Sequence, residues 1–134
     1  MPKLNELEHT ADRAFRVRGK TLKELFANAA DGLFRLQRQR GRTNVELTRE
    51  VEVEGYDRET LLVNWLNEIL YLQEAHNETL SRVEVIEISD QHLKAKLQGQ
   101  KGRRAHRLIK AVTFHGLRVH ETKTGFEAEI IVDV

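Results

Sequence analysis

Twice along this chain, apolar residues spaced as on a helix give way to apolar residues spaced as on a strand, and that alternation of period restricts the fold more than any other feature. The first helical stripe is Leu22, Leu25, Phe26, Ala29, Leu33 and Phe34. It follows Thr21-Leu22-Lys23-Glu24, the pattern of a capping box, in which a hydroxyl and a carboxylate satisfy free backbone N–H groups. The stripe predicts a helix from Thr21 to between Leu36 and Arg40, before Gly41. The second stripe is Leu61, Leu62, Trp65, Leu66, Ile69 and Leu70. Asp57 is placed to cap it and Glu59 to sit in its electropositive first turn, with an end between Ala75 and Asn77.

Between the stripes, Val45, Leu47, Val51 and Val53 share one parity and Glu46, Glu50, Glu52 and Glu54 the other, which is a strand with one face buried. Val83–Ile88 and Leu93–Leu97 read as two more strands around a Ser89-Asp90-Gln91 turn. Ile109–Phe114 and Phe126–Val132 form a last pair, with Leu117–Glu121 continuing the first of them into a tight Thr122-Lys123-Thr124-Gly125 turn. An early strand over Ala14–Val17 precedes the first helix. The expected order is strand, helix, strand, helix and four strands. That is an α+β protein of two layers, a mixed β-sheet with two helices packed on one face. No repeat, low-complexity run or linker interrupts it, and the only proline is Pro2, so residues 1–134 read as one domain.

Composition removes several classes of function. Lys and Arg total 22 against 21 Asp and Glu, so overall charge gives no drive towards nucleic acid. There is no cysteine, which excludes disulfides, thiolate zinc sites and thiol nucleophiles. Met1–Thr10 has no apolar run and reads as no signal peptide, and no stretch is long enough to span a membrane, so a cytoplasmic protein is expected. The eight glycines are dispersed, without a phosphate-cradling loop, and no Gly-x-Ser-x-Gly elbow or His-Glu-x-x-His helix is present.

Four clusters remain. His9-Thr10-Ala11-Asp12 stands just before the early strand; its carboxylate suits a hard divalent cation and equally suits a turn or cap. Ile131-Val132-Asp133-Val134 ends the last strand, with Asp133 on the face of Glu127 and Glu129; beside a terminal carboxylate it concentrates oxygen donors, or it is a solvated strand end. His115, before Gly116, lies at a strand end, as a ligand, a proton donor or a hydrogen-bonded structural residue. Arg103, Arg104 and Arg107, with Lys101 and Lys110, make a basic run, and Arg35, Arg38, Arg40 and Arg42 another. Neither is interleaved with aromatics, as a stacking platform for single strands would be.

These segments together resemble the archease family along nearly the whole chain. The matching stretches are His9–Asp12, Gly19–Phe34, Leu61–Leu72, Ile109–Leu117 and Ile131–Val134, in the same order and at compatible spacing. The resemblance implies a two-layer α+β protein that assists an RtcB-type RNA ligase in tRNA splicing and RNA repair. Such a protein promotes guanylylation of the ligase and supports multiple turnover, and it touches RNA only through the ligase. It further implies a metal site of Asp12 and Asp133, with a Val134 oxygen as a further donor. Oxygen donors of this kind suit Ca²⁺ or Mg²⁺. No organic cofactor is implied. His9 and His115 fall in matching motifs as supporting candidates, and Arg103, Arg104 and Arg107 as candidates for contact with the partner. The family's Asp-Pro dipeptide before the Lys-Ala-Val-Thr segment is absent; Gly99–Arg107 stands there instead, with His106 as the nearest counterpart of a family histidine. The leading expectation is therefore a non-catalytic activator. A small metal-dependent phosphoester hydrolase and an RNA-binding module are the alternatives.

Overall fold

The computed structural model describes residues 5–8, 12–37, 45–102, 109–114 and 116–134. Among them are eight strands and two helices: β1 (Asn5–Glu8), β2 (Asp12–Gly19), α1 (Leu22–Leu36), β3 (Leu47–Glu54), α2 (Arg58–His76), β4 (Glu78–Ile88), β5 (His92–Lys101), β6 (Ala111–Thr113), β7 (Val119–Thr122) and β8 (Gly125–Asp133).

Both helices start at the capping side chains that the sequence supplies. The Thr21 hydroxyl accepts from the Glu24 N–H at 3.1 Å. Glu24 returns a bond to the N–H of Lys20, at 3.0 Å, one residue earlier than a standard capping box would take it. Asp57 accepts from the Thr60 N–H at 2.7 Å, and the Thr60 side chain together with that N–H holds its carboxyl below the usual carboxylate range. α2 stops at Asn77, which adopts the left-handed conformation at φ 52°.

The α+β class and the packed helices stand, but the expected single mixed sheet is two antiparallel sheets. One joins β1, β2, β8 and β6 in that order, with β7 also on β8; the other is β3-β5-β4. All their pairings are antiparallel. The reason is that β3 takes its hairpin partner from β4–β5 and β2 takes β8, so neither helix-linked strand lies beside the other. Each sheet buries one face. Phe15 and Val17 of β2, Ala128, Ile130 and Val132 of β8, and Leu93, Ala95 and Leu97 of β5 lie at every second position and join one hydrophobic cluster with α1 and α2. Trp65, fully buried, donates its indole N–H to the Phe26 carbonyl at 3.0 Å and ties the helices together.

Three strand expectations change. β1 escaped notice because Asn5-Glu6-Leu7-Glu8 is short and mostly polar. β4 begins at Glu78 rather than near Val83, because a bulge between Leu80 and Arg82 breaks the alternation that marks a strand. Leu117–Glu121 continues β6 only after a break: pairing with β8 stops at Thr113 and resumes on the same edge as β7 at Val119.

A repeat that residue identity hides also emerges. At an offset of thirty-six positions, β2–α1 and β3–α2 make the same contacts. A Cβ on Gly19 would strike the backbone N of Leu25, and one on Gly55 that of Leu61, so each strand enters its helix through a glycine. Asn28 donates to the Arg18 carbonyl at 2.7 Å and Asn64 to the Glu54 carbonyl at 2.8 Å, sealing the strand ends. Gln37 caps the end of α1 and Gln73 lies in the last turn of α2; both are buried, and Gln73 donates to Gln37 at 3.2 Å. The unit β3-α2-β4-β5 thus lies in the chain between α1 and the strands β6, β7 and β8 that complete the first unit.

Candidate functional site

The β2–β8 register makes Asp12 and Asp133 Cα partners. Residues 121 positions apart therefore meet across one ladder, at the margin of the five-stranded sheet. Val134 follows at once and is 38% exposed. Asp133 is exposed on the face away from the helices, as strand parity requires once Ile130 and Val132 are in the core. Val134 shares their parity without their burial.

The last turn of β8 is held from the other side as well. Asp133 pairs with Ala111 of β6, and its main-chain carbonyl accepts from the Lys110 N–H at 2.8 Å. β6 is short and needs a support. Asn67 of α2 supplies it, donating its amide to the Val112 carbonyl at 3.1 Å and accepting from the Val112 N–H at 2.8 Å. The chain α2–β6–β8 thus fixes where Asp133 stands. Asn67 is a positioning residue that sequence reasoning passed over. The available signal was a second asparagine one turn after Asn64, beside the buried Leu66.

Further along the same outer face the pairs are ionic. Arg16 meets Glu129 at 3.4 Å and Arg18 meets Glu127 at 3.2 Å. These are solvent-exposed cross-strand pairs, each worth under about 1 kcal/mol. Where the third strand is broken between β6 and β7, Arg16, Arg118, His120, Glu127 and Glu129 line an open groove of about 410 Å³.

The inserted unit shows what this position looks like without acid. The counterparts of Asp12 and Asp133 are Thr48 and Gln98, which are likewise Cα partners. There the Gln98 amide donates to the Thr48 hydroxyl at 3.5 Å. A neutral pair closes the same ladder position, so the scaffold does not require carboxylates. Cross-strand carboxylates repel, at a cost that is a fraction of 1 kcal/mol on an exposed sheet; a nearby cation removes that cost. The donor set at the acid position is all oxygen, which fits Ca²⁺ or Mg²⁺ and not a soft metal. Among the described residues no group of three or more His, Asp or Glu side chains is placed to hold a metal. Two carboxylates would leave most of a hard cation's positions to water or to a partner.

The structure brings Asp12, Asp133 and Val134 together. His9, His115, Arg103, Arg104 and Arg107 lie outside the described residues, as does His106. No helix of the described residues is long and apolar enough to cross a membrane.

A small α+β protein built from two strand–helix units, with an acidic pair at one sheet margin and none at the other, is the class this geometry defines. The chain belongs to the Archease protein family, whose model matches residues 5–134. It is 37% identical to an archease of Methanosarcina acetivorans over 140 aligned residues, covering 98% of this chain and 96% of that one. It is 36% identical to an archease of Archaeoglobus fulgidus, covering 96% of both. Its fold is similar to the solution structure of a Methanobacterium thermoautotrophicum protein, at 28% identity, a TM-score of 0.74 and 98% coverage of both chains. The crystal structure of a Thermotoga maritima protein described as an archease and possible chaperone is similar in fold alone, at 20% identity and a TM-score of 0.69, with 97% of this chain and 96% of that one covered.

Proposed function

We propose that this chain is a protein cofactor of an RtcB-type RNA ligase, promoting ligase guanylylation and multiple turnover in tRNA splicing and RNA repair in the cytoplasm, and is not itself an enzyme. Membership of the archease family supports the reading, and so does the description of a relative as a chaperone candidate, which is a role of assistance. The observation that carries it is the Cα partnership of Asp12 and Asp133 where the inserted unit has Thr48 and Gln98.

Asp12, Asp133 and a Val134 oxygen would hold a Ca²⁺ or Mg²⁺ ion. When bound, the cation supplies a positive centre for phosphate oxygens. The protein's own part is to present two carboxylates at the open end of a rigid ladder, where a large partner can reach them. Asn67 and Lys110 keep β8 registered while it does so, and the exposed Phe114, just after β6, offers a further apolar contact for a partner.

The test is ligase turnover. Joined RNA per ligase is measured without this protein, with it, and with Asp12→Ala, Asp133→Ala and the control Thr48→Ala/Gln98→Ala. The wild type and the control raise turnover alike, and each aspartate variant loses about tenfold or more of the gain. Equal turnover in every condition ends the proposal. Hydrolysis of a phosphoester by this protein alone, abolished by Asp12→Ala, would replace it with the hydrolase reading.

A further inference from the structure

The outer face of the three-stranded sheet carries its charges in rows. Lys94 of β5 lies between Glu52 of β3 and Glu87 of β4, and Lys96 lies between Glu50 and Glu84. Each row runs acid, base, acid, and ends at both edges on an exposed glutamate. The rows therefore stop one strand short of charge balance on either side.

The two edges are not equal as templates. β4 changes register between Leu80 and Arg82 and again between Val85 and Glu87, and such breaks spoil regular pairing along an edge. β3 keeps one register from Leu47 to Glu54 and, among the described residues, pairs with β5 alone. Its outward residues Thr48, Glu50, Glu52 and Glu54 are all exposed.

The sign of the edge selects what could pair with it. An antiparallel strand sets outward residues opposite outward residues. A second copy of β3 would bring Glu50 and Glu52 against the same glutamates, which is destabilising. A strand with Lys or Arg at every second position would instead extend each row to acid, base, acid, base.

We propose that β3 is a docking edge for an extended segment of a partner protein with Lys or Arg at alternate positions, added to the sheet as a fourth strand. Main-chain hydrogen bonds would supply binding, and Glu50 and Glu52 the selection. The inference uses the three-stranded sheet only and does not depend on the cation or on ligase activation.

The experiment uses the full chain and two end-blocked nine-residue peptides, one alternating lysine with threonine and valine, the other with glutamate in place of lysine. Affinity is read by titration and location by backbone amide exchange. The lysine peptide binds saturably and slows exchange across residues 47–54, and the glutamate peptide does not. Glu50→Gln/Glu52→Gln, both exposed, with Glu52 bonded to the His92 ring at 2.9 Å, weakens lysine-peptide binding by about fivefold, the effect of two cross-strand charge pairs. Four results overturn the proposal. They are no binding at millimolar peptide, which assigns the glutamates to guarding the edge; protection confined to another strand; equal affinity for the Gln variant; and β3 protection that grows with protein concentration alone, which assigns the edge to a second copy.

Discussion

The unit β2–α1 with β8 and the unit β3–α2 with β5 share their joints and differ in what they carry. Gly19 and Gly55, and Asn28 and Asn64, occupy the same places and make the same contacts, and Gln37 and Gln73, at matching positions, bond to each other. Charges on the outer faces are exchanged. In the first unit Arg16 and Arg18 face Glu129 and Glu127; in the second Glu52 and Glu54 face Lys94 and His92. At the ladder margin, the Cα partners Asp12 and Asp133 of one unit correspond to Thr48 and Gln98 of the other. The lesson is that the fold constrains the joints and leaves the faces free, so a feature present in one unit only is a candidate for function.

The core offers the largest break in that symmetry. Trp65 corresponds to Ala29, and both are fully buried. Trp65→Ala removes the side chain that fills the space between helices and leaves the Phe26 carbonyl without its indole donor, at a cost of about 3–5 kcal/mol in denaturant unfolding. A loss below 1 kcal/mol would mean that α2 is not the anchor of the shared core.

Next come the joints. Gly19→Ala and Gly55→Ala each press a methyl into a helix backbone, at a cost of about 1–3 kcal/mol. The account predicts similar losses; a large loss in one and none in the other would break the equivalence of the units.

Arg49 and Arg13 correspond, and the Arg49 pair gives a pH signature. Arg49 binds Glu78 through two bonds of 2.7 Å, and Glu78 is only 7% exposed. The guanidinium holds the Glu78 carboxyl below the usual carboxylate range against the opposing effect of burial, with smaller help from the charges of Arg49 and His76. A depressed carboxylate pKa adds stability above its unfolded value, near 4.5, and that stability is lost as pH falls through the folded value. Glu78→Gln should therefore cost about 1–3 kcal/mol at neutral pH, with the gap to wild type closing as pH drops below about 4.5. A gap independent of pH would assign the effect to packing.

Asn67 is the smallest of these effects in stability. Asn67→Ala removes two bonds to Val112 and should cost about 1–2 kcal/mol, with faster amide exchange in β6 and at the end of β8. Unchanged exchange there would show that β6 holds itself.

Much of this was readable from residues. The helical stripes and their caps at Thr21 and Asp57 located α1 and α2 to within a residue or so, because capping and amphipathic spacing are local. Parity placed Asp133 on the outer face for the same reason. The two-sheet arrangement was not legible, since strand partnership depends on contacts far apart in sequence. Nor was the repeat: the joints are single residues set among many that differ, such as Ala29 against Trp65. Asn67 was hidden because its partner, Val112, is 45 residues away. The adjacency of Asp12 and Asp133 came from motif resemblance, and the β2–β8 register gives it a physical basis.

Cation binding at the acid margin tests the central claim most directly. Calorimetric titration of Ca²⁺ and of Mg²⁺ into the wild type, into Asp12→Asn/Asp133→Asn and into Thr48→Ala/Gln98→Ala should give one saturable site in the first and third and none in the second. Equal binding to all three, or to none, would contradict the account.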